Sequence, residues 1–209
     1  MSGFPFRERL EARLAAANLA VTAAKIAQLD QYFQILLRWN RTINLTGLEL
    51  DPLSDQAIDR LFCEPIAAVL HFPSTARSWV DIGSGGGSPA FPVKIAIPAL
   101  PVTLVEIRDR KCAFLREAAR DLKLLRTSVV NQRFEEAAAW MDRADLITLR
   151  AVRAHPQLSQ AIAHVLEDHG LVLVFGEVSA LDWPHFAAEP KVSELLRSNR
   201  SVLSILKKA

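Results

Sequence analysis

Apolar residues recur along this chain with two different periods. In the first forty residues the spacing is helical: Ile26, Leu29, Phe33, Leu36 and Leu37 share one face, and Thr22 stands where a helix would be capped. A second helical stretch covers 54–71, with a bend expected at Pro65. Beyond it the period changes. Short β-like runs at 78–82, 102–106, 128–131, 146–149 and 171–175 are separated by helical runs at 90–96, 110–122, 135–141 and 157–168. That alternation predicts a parallel sheet covered by helices. A last apolar run, 201–206, reads as an edge strand. The predicted fold class is α/β: a doubly wound, Rossmann-like domain over 77–209, carrying a helical cap over 1–76, the two forming one compact unit.

Composition narrows the class. A chain of 209 residues that is 50% hydrophobic can bury one sizeable core. Its longest apolar runs, such as 171–176, are too short to span a bilayer. The stretch 1–14 has no apolar run ahead of its charges, so it does not read as a secretory leader. Cys63 and Cys112 lack metal-site spacing, which suggests packing roles in a reducing cytoplasm and no metal. Net charge is only +2, but between Arg108 and Arg133 eight basic residues face three acidic ones. This is either a solvated helix face or a surface turned toward a polyanion.

Candidate chemistry begins at VDIGSGGGSP, residues 80–89. The loop falls where the first strand of the sheet should end, the usual ligand edge of such folds. A dinucleotide fingerprint would need a third glycine where Ser88 stands. Asp81, expected at the mouth of the loop, would repel a diphosphate by ~1 kcal/mol or more. It suits a cationic ligand without phosphate. S-adenosylmethionine is one, and Gly83 and Gly85 let the main chain approach it. Glu106 ends the second strand, 23 residues after Gly83, where an acid can accept from both hydroxyls of a ribose.

With these residues in hand the sequence resembles the RsmG (GidB) family of small-subunit ribosomal RNA methyltransferases, which methylate a guanine at N(7). Four stretches carry the likeness: LLRWNRTINLTG (36–47), VDIGSGGGSPAFPVKIAIP (80–98), LVEIRDRKCAFLREAA (104–119), and QRFEEAA (132–138) with DLITLRAV (145–152). The resemblance implies a class I S-adenosylmethionine-dependent methyltransferase. Gly83 and Ser88 would touch the cofactor, and Phe134 and Glu135 would flank its adenine. Arg150 would lie beside cofactor and substrate, as the one residue with a catalytic role. Asn44 and Thr46 would face the mouth of the site, and Arg60 and Lys111 would bind substrate. The implied partner is 16S ribosomal RNA, within the 30S subunit or an assembly intermediate, met by a monomeric cytoplasmic enzyme.

The likeness has departures. The family pattern R-H-x-x-D-S reads Arg60, Leu61, Glu64 and Pro65 at its matching positions here. The loop continues Gly87-Ser88-Pro89-Ala90 in place of G-F-P-G, and Phe175 replaces a lysine. They put the target nucleotide in question. A second reading is therefore a methyltransferase for another RNA site, a protein or a small molecule. A third is a module that binds RNA or cofactor without turnover, and an NAD-type oxidoreductase is disfavoured by Asp81 and Ser88. N(7) of guanine carries a lone pair and no proton. The reaction needs alignment more than a base, and Arg150 is expected to orient cofactor or a backbone phosphate.

Overall fold

The computed structural model describes residues 6–187 and 191–209. Residues 1–5, on which the leader reading and the start of the cap fall, lie outside them. The helical stretch expected over the first forty residues is two helices. α1 (Phe6–Ala16) and α2 (Ala23–Asn40) are parted at Asn18, whose φ of 56° is left-handed. Asparagine visits that region because its short side chain can bond locally. Thr22 caps α2 as expected, accepting from the Lys25 amide.

The second helical stretch shows how Pro65 acts. Ser54 caps α3 (Asp55–Ile58), a π-helical turn follows over Asp59–Cys63, and α4 (Glu64–Ala68) contains the proline. The Glu64 amide reaches back five residues to the Asp59 carbonyl, which leaves the carbonyl of Arg60 without a helical donor. Pro65 has no N–H to offer Leu61. Two adjacent carbonyls are thereby released from the helix, at a wide turn of the kind often found beside functional sites.

Seven strands form one sheet: β1 (Trp79–Ile82), β2 (Val102–Val105), β3 (Thr127–Val130), β4 (Ala144–Arg150), β5 (Leu166–Phe175), β6 (Lys191–Leu196) and β7 (Ser201–Leu206), in the order β3-β2-β1-β4-β5-β7-β6. The first five are parallel, β7 runs antiparallel to β5, and β6 antiparallel to β7. Helices α5 (Ala90–Ala96), α6 (Asp109–Asp121), α7 (Phe134–Ala137) and α8 (Pro156–Val165) alternate with the parallel strands. The doubly wound architecture stands, with two local corrections. β5 begins at Leu166, inside the stretch expected to be helical, because Leu166 pairs with Ala144 ahead of a register shift and Arg143 holds both the Leu166 carbonyl and Asp168. And 201–206 is not an edge: the polar strand β6 covers it.

The sheet separates two cores. Trp79, Leu104, Leu146 and Leu173 pack with α5, α6 and the cap helices, while Val80, Ile82, Val105 and Ile147 pack with α7 and α8. Alternation along β1 decides this, successive side chains pointing to opposite faces. On the cap side Phe6 stacks on Phe33 at 4.3 Å, and Tyr32 meets Phe62 and Phe91 edge-on or tilted. Among the described residues no helix is long and apolar enough to cross a membrane.

Candidate active site

At the carboxyl end of β1 the chain turns through Gly83–Gly87 before α5. The amides of Gly83 and Ser84 both donate to the Val105 carbonyl, hooking the loop to the end of β2. Two glycines are required by space. Gly83 has φ 70°, and a Cβ there would lie 2.7 Å from Val152. Gly87 has φ 85°, and its Cβ would lie 2.4 Å from the Phe91 ring. The cap completes the loop, since the fully buried Tyr32 hydroxyl donates to the Gly86 carbonyl at 2.7 Å. Burial pushes the Tyr32 pKa far up, so it is always a neutral donor. Tyr32→Phe should lose about 1 kcal/mol of stability in chemical unfolding and weaken cofactor binding severalfold by calorimetry. An unchanged affinity would separate the cap from the site.

Two cavities open on either side of Gly83, which lines both. The smaller, about 180 Å³, is walled by Val105, Glu106, Ile107, Phe134, Glu135 and His155. Glu106 crosses to the loop: one carboxylate oxygen accepts from the Gly85 amide at 3.0 Å, the other from the Arg108 amide at 2.9 Å. His155 caps α8 by accepting from the Leu158 amide, and its other ring nitrogen lies 3.1 Å from Glu135. The larger cavity, about 430 Å³, takes Leu45 and Thr46 from the cap, Arg60 and Leu61 from the π turn, Gly85 and Ser88 from the loop, and Lys111 and Arg150. A third cavity, about 530 Å³, is larger still, but Arg77, Pro101 and Arg126 place it at the amino ends of β1, β2 and β3, away from the ligand edge.

Asp81 is not at the mouth of the loop. It lies within β1, and alternation turns it with Trp79 to the cap side, 1% exposed and lining neither cavity. Trp79 donates to the Thr148 hydroxyl, which donates in turn to Asp81 Oδ1 at 2.5 Å, while Oδ2 has no partner. Burial pushes the Asp81 pKa up to about 6, against the pull of Thr148 and the charge of Arg150. Its influence on a ligand is that of a charge beneath the floor.

Arg150 is likewise not free to reach a phosphate. Its guanidinium is 10% exposed and pairs with Glu64 at 2.9 Å. Asn199 donates to the other Glu64 oxygen at 2.9 Å, and the Phe175 ring lies 4.4 Å beneath the guanidinium. Nη1 donates to the Arg60 carbonyl and, at 3.3 Å, to the Ser88 hydroxyl, which itself donates to the Leu61 carbonyl at 2.9 Å. The two carbonyls released by Pro65 are thus taken by Arg150 and Ser88. Burial lowers the Arg150 pKa to about 10, with Glu64 resisting, so it remains charged at neutral pH. Its Nε is buried without a partner. Three of the sequence departures, Glu64, Ser88 and Phe175, touch this one side chain, and Leu61 is linked to it through Ser88.

The remaining expected residues divide. Gly83, Gly85, Ser88, Arg60 and Lys111 reach the larger cavity, and Glu106, Phe134 and Glu135 the smaller. Asn44 is exposed and lines neither. Asn40 builds that turn instead, accepting from the amides of Leu45 and Thr46, and Thr46 accepts from Leu48. The basic stretch 108–133 is not one surface: Lys111 is in the crevice, Arg133 in the smaller cavity, and Arg126 at the opposite end of the sheet. Helical and strand geometry spreads it around the domain. Tyr32, Glu64 and Asn199 were not foreseen; only Glu64 left a trace in the sequence, as a departure. Among the described residues no three His, Cys, Asp or Glu side chains gather as metal ligands.

The family described as rRNA small subunit methyltransferase G matches residues 25–203, which include most of the cap helix α2, the glycine loop and both cavities. The chain belongs to this family. Ribosomal RNA small subunit methyltransferase G of Brevibacillus brevis is 32% identical over 74% of this chain and 65% of its own length. The protein of the same name from Neisseria gonorrhoeae is 34% identical over 78% and 76%. Among solved structures, a methyltransferase from Geobacter sulfurreducens superposes over 97% of this chain and 96% of its own with a TM-score of 0.57, at 16% identity. That likeness carries the methyltransferase fold. Family membership and the site are consistent, because the matched residues are those that build the crevice.

Proposed function

We propose that the protein transfers a methyl group from S-adenosylmethionine to N(7) of a guanine in 16S ribosomal RNA, acting in the cytoplasm as a single chain on the 30S subunit or an assembly intermediate. The observation that carries this reading is the bipartite crevice, two cavities of about 180 and 430 Å³ joined at Gly83. The residues present suit the cofactor. Glu106 keeps lone pairs free for ribose hydroxyls beside the two amides it already accepts from. Phe134 and Ile107 offer apolar walls to an adenine. Asp81 and Arg150 each hold one buried polar atom without a partner, an acceptor and a donor, in the adjacent strands β1 and β4. A zwitterionic amino-acid group matches that pair of opposite charges.

When bound, the cofactor supplies the electrophilic methyl. The chain's own residues position and enclose. Glu106 and the loop amides fix the cofactor end of the crevice, Asp81 favours a cation above it, and Leu36, Leu45 and Leu61 exclude water from the larger cavity. Lys111 and Arg60, neither in a salt bridge among the described residues, are the cations left to meet RNA phosphate. Arg150 acts as a positioning residue, holding Ser88 and the π turn against the crevice. No group needs to remove a proton from N(7).

Methyl transfer from labelled S-adenosylmethionine to 30S subunits and to naked 16S RNA, with aniline cleavage at the modified base, tests this. Cleavage at one guanine supports the reading. The departures clustered on Arg150 favour a second one, methylation of a different RNA nucleotide, which label in naked 16S RNA without aniline cleavage would support. Thermal stabilisation by NAD and not by S-adenosylmethionine would overturn both.

A further inference from the structure

The larger cavity does not end at Arg60. A groove of about 430 Å³ continues from it, lined by Gln56, Arg60, Glu64, Gly176, Glu177 and Arg200. Arg60 lines both spaces, so the groove is the extension of the crevice toward solvent. We propose that this groove, between the π turn and the turn joining β6 to β7, binds the phosphodiester backbone of the RNA strand beside the methylated base. The inference rests on the reading of an RNA substrate and adds the surface that guides the strand.

Charge and geometry support it. Glu64, the acid in the floor, is already neutralised: Arg150 pairs with one oxygen and Asn199 donates to the other. Arg60 and Arg200 are both exposed, and neither is in a salt bridge or side-chain hydrogen bond among the described residues. Arg7, Arg38, Arg41 and Arg143 are paired with acids, whereas Arg60 and Arg200 share their unpaired state with exposed arginines such as Arg108, Arg110 and Arg197, and are set apart by lining one groove that opens from the crevice. Arg200 has a left-handed φ of 53°, as tight hairpin turns require, and so stands in the turn joining β6 to β7. Asn199, one residue earlier, fixes the turn by donating to Glu64 and accepting from the Ser201 amide. The two walls come from opposite ends of the chain, and each presents one unpaired cation. Against them stands only Glu177. Such a balance suits a polyanion that must be held loosely enough to release.

The test compares substitutions that add negative charge, by two units at Arg200 and Arg126 and by one at Gln56. Arg200→Glu and Gln56→Glu alter the two walls; Arg126→Glu makes the same change as Arg200→Glu at the far end of the sheet. Affinity for a 16S ribosomal RNA transcript is measured across a salt series, with S-adenosylmethionine affinity and thermal melting measured alongside. Arg200→Glu should weaken RNA binding on the order of tenfold and flatten the salt dependence by roughly 0.7 to 0.9 in log–log slope per phosphate released. Gln56→Glu should weaken it in the same sense, Arg126→Glu should not, and cofactor affinity should stay constant in all three. If the wild type binds and methylates RNA but Arg200→Glu behaves as Arg126→Glu does, the groove is wrong and the function stands. If the wild type binds S-adenosylmethionine and no RNA, the functional reading fails and the groove with it.

Discussion

Asp81→Asn should raise the melting temperature by a few degrees at pH 7.5 and weaken S-adenosylmethionine binding by about 30-fold. Both effects come from one buried carboxyl. Folding lifts its pKa from the ordinary 3.8 to about 6. A carboxyl raised in this way contributes full stability below its unfolded pKa and loses that contribution as pH rises through the folded value. Above pH 6 the protein therefore carries a charge it would be more stable without. At ~1.4 kcal/mol per pH unit the penalty has a ceiling of ~3 kcal/mol. Asparagine removes it and keeps an oxygen to accept from Thr148. The same charge attracts the cation, by ~2 kcal/mol in partly buried surroundings, which corresponds to the 30-fold loss. Wild-type affinity should fall as pH drops below about 6, and the variant should show no such fall. Thermal melts at pH 4 and 7.5, with calorimetry over the same range, check both halves. An asparagine variant that binds like the wild type would remove Asp81 from the site.

The second large effect is expected at Glu64. Glu64→Ala leaves the Arg150 guanidinium nine-tenths buried and without its acid, and removing one partner of a buried pair costs ~3–5 kcal/mol. Domains of this kind are stable by only about 5–15 kcal/mol, so urea unfolding should show the variant close to its limit. The contrast is the Arg41–Asp51 pair, whose side chains are 69% and 73% exposed. Asp51→Ala should change stability by less than ~0.5 kcal/mol. If the two substitutions cost the same, the Arg150 cluster does not hold the cap to the sheet. Glu64→Gln should fall between, since it still offers Arg150 an oxygen.

The sheet was legible because five short apolar runs separated by helical ones admit few arrangements, and the glycine loop was legible because its residues are adjacent in sequence. What escaped depends on distance along the chain. Asn199 and Glu64 are 135 positions apart and meet only through the fold. β6 is half polar and buries only its last residue, so no hydrophobic period marks it. The pattern locates the end of β1 but not the face to which its third residue turns, so it places at the loop mouth an Asp81 that lies buried on the cap side. The basic run 108–133 failed for a related reason: closeness in sequence puts charges on one surface only when one element carries them all.

The helix around Pro65 surrenders two of its carbonyls, and Arg150 and Ser88 receive them from across the crevice. Positions 65 and 88 are therefore a matched set. A serine at 65 would bring an amide that claims the Leu61 oxygen for the helix, and the hydroxyl at 88, still accepting from Arg150, would lose the acceptor for its own proton. Anyone grafting the glycine loop of a relative onto this scaffold must exchange the helix residue in the same step, or build a chimera whose halves each expect a bond the other no longer offers.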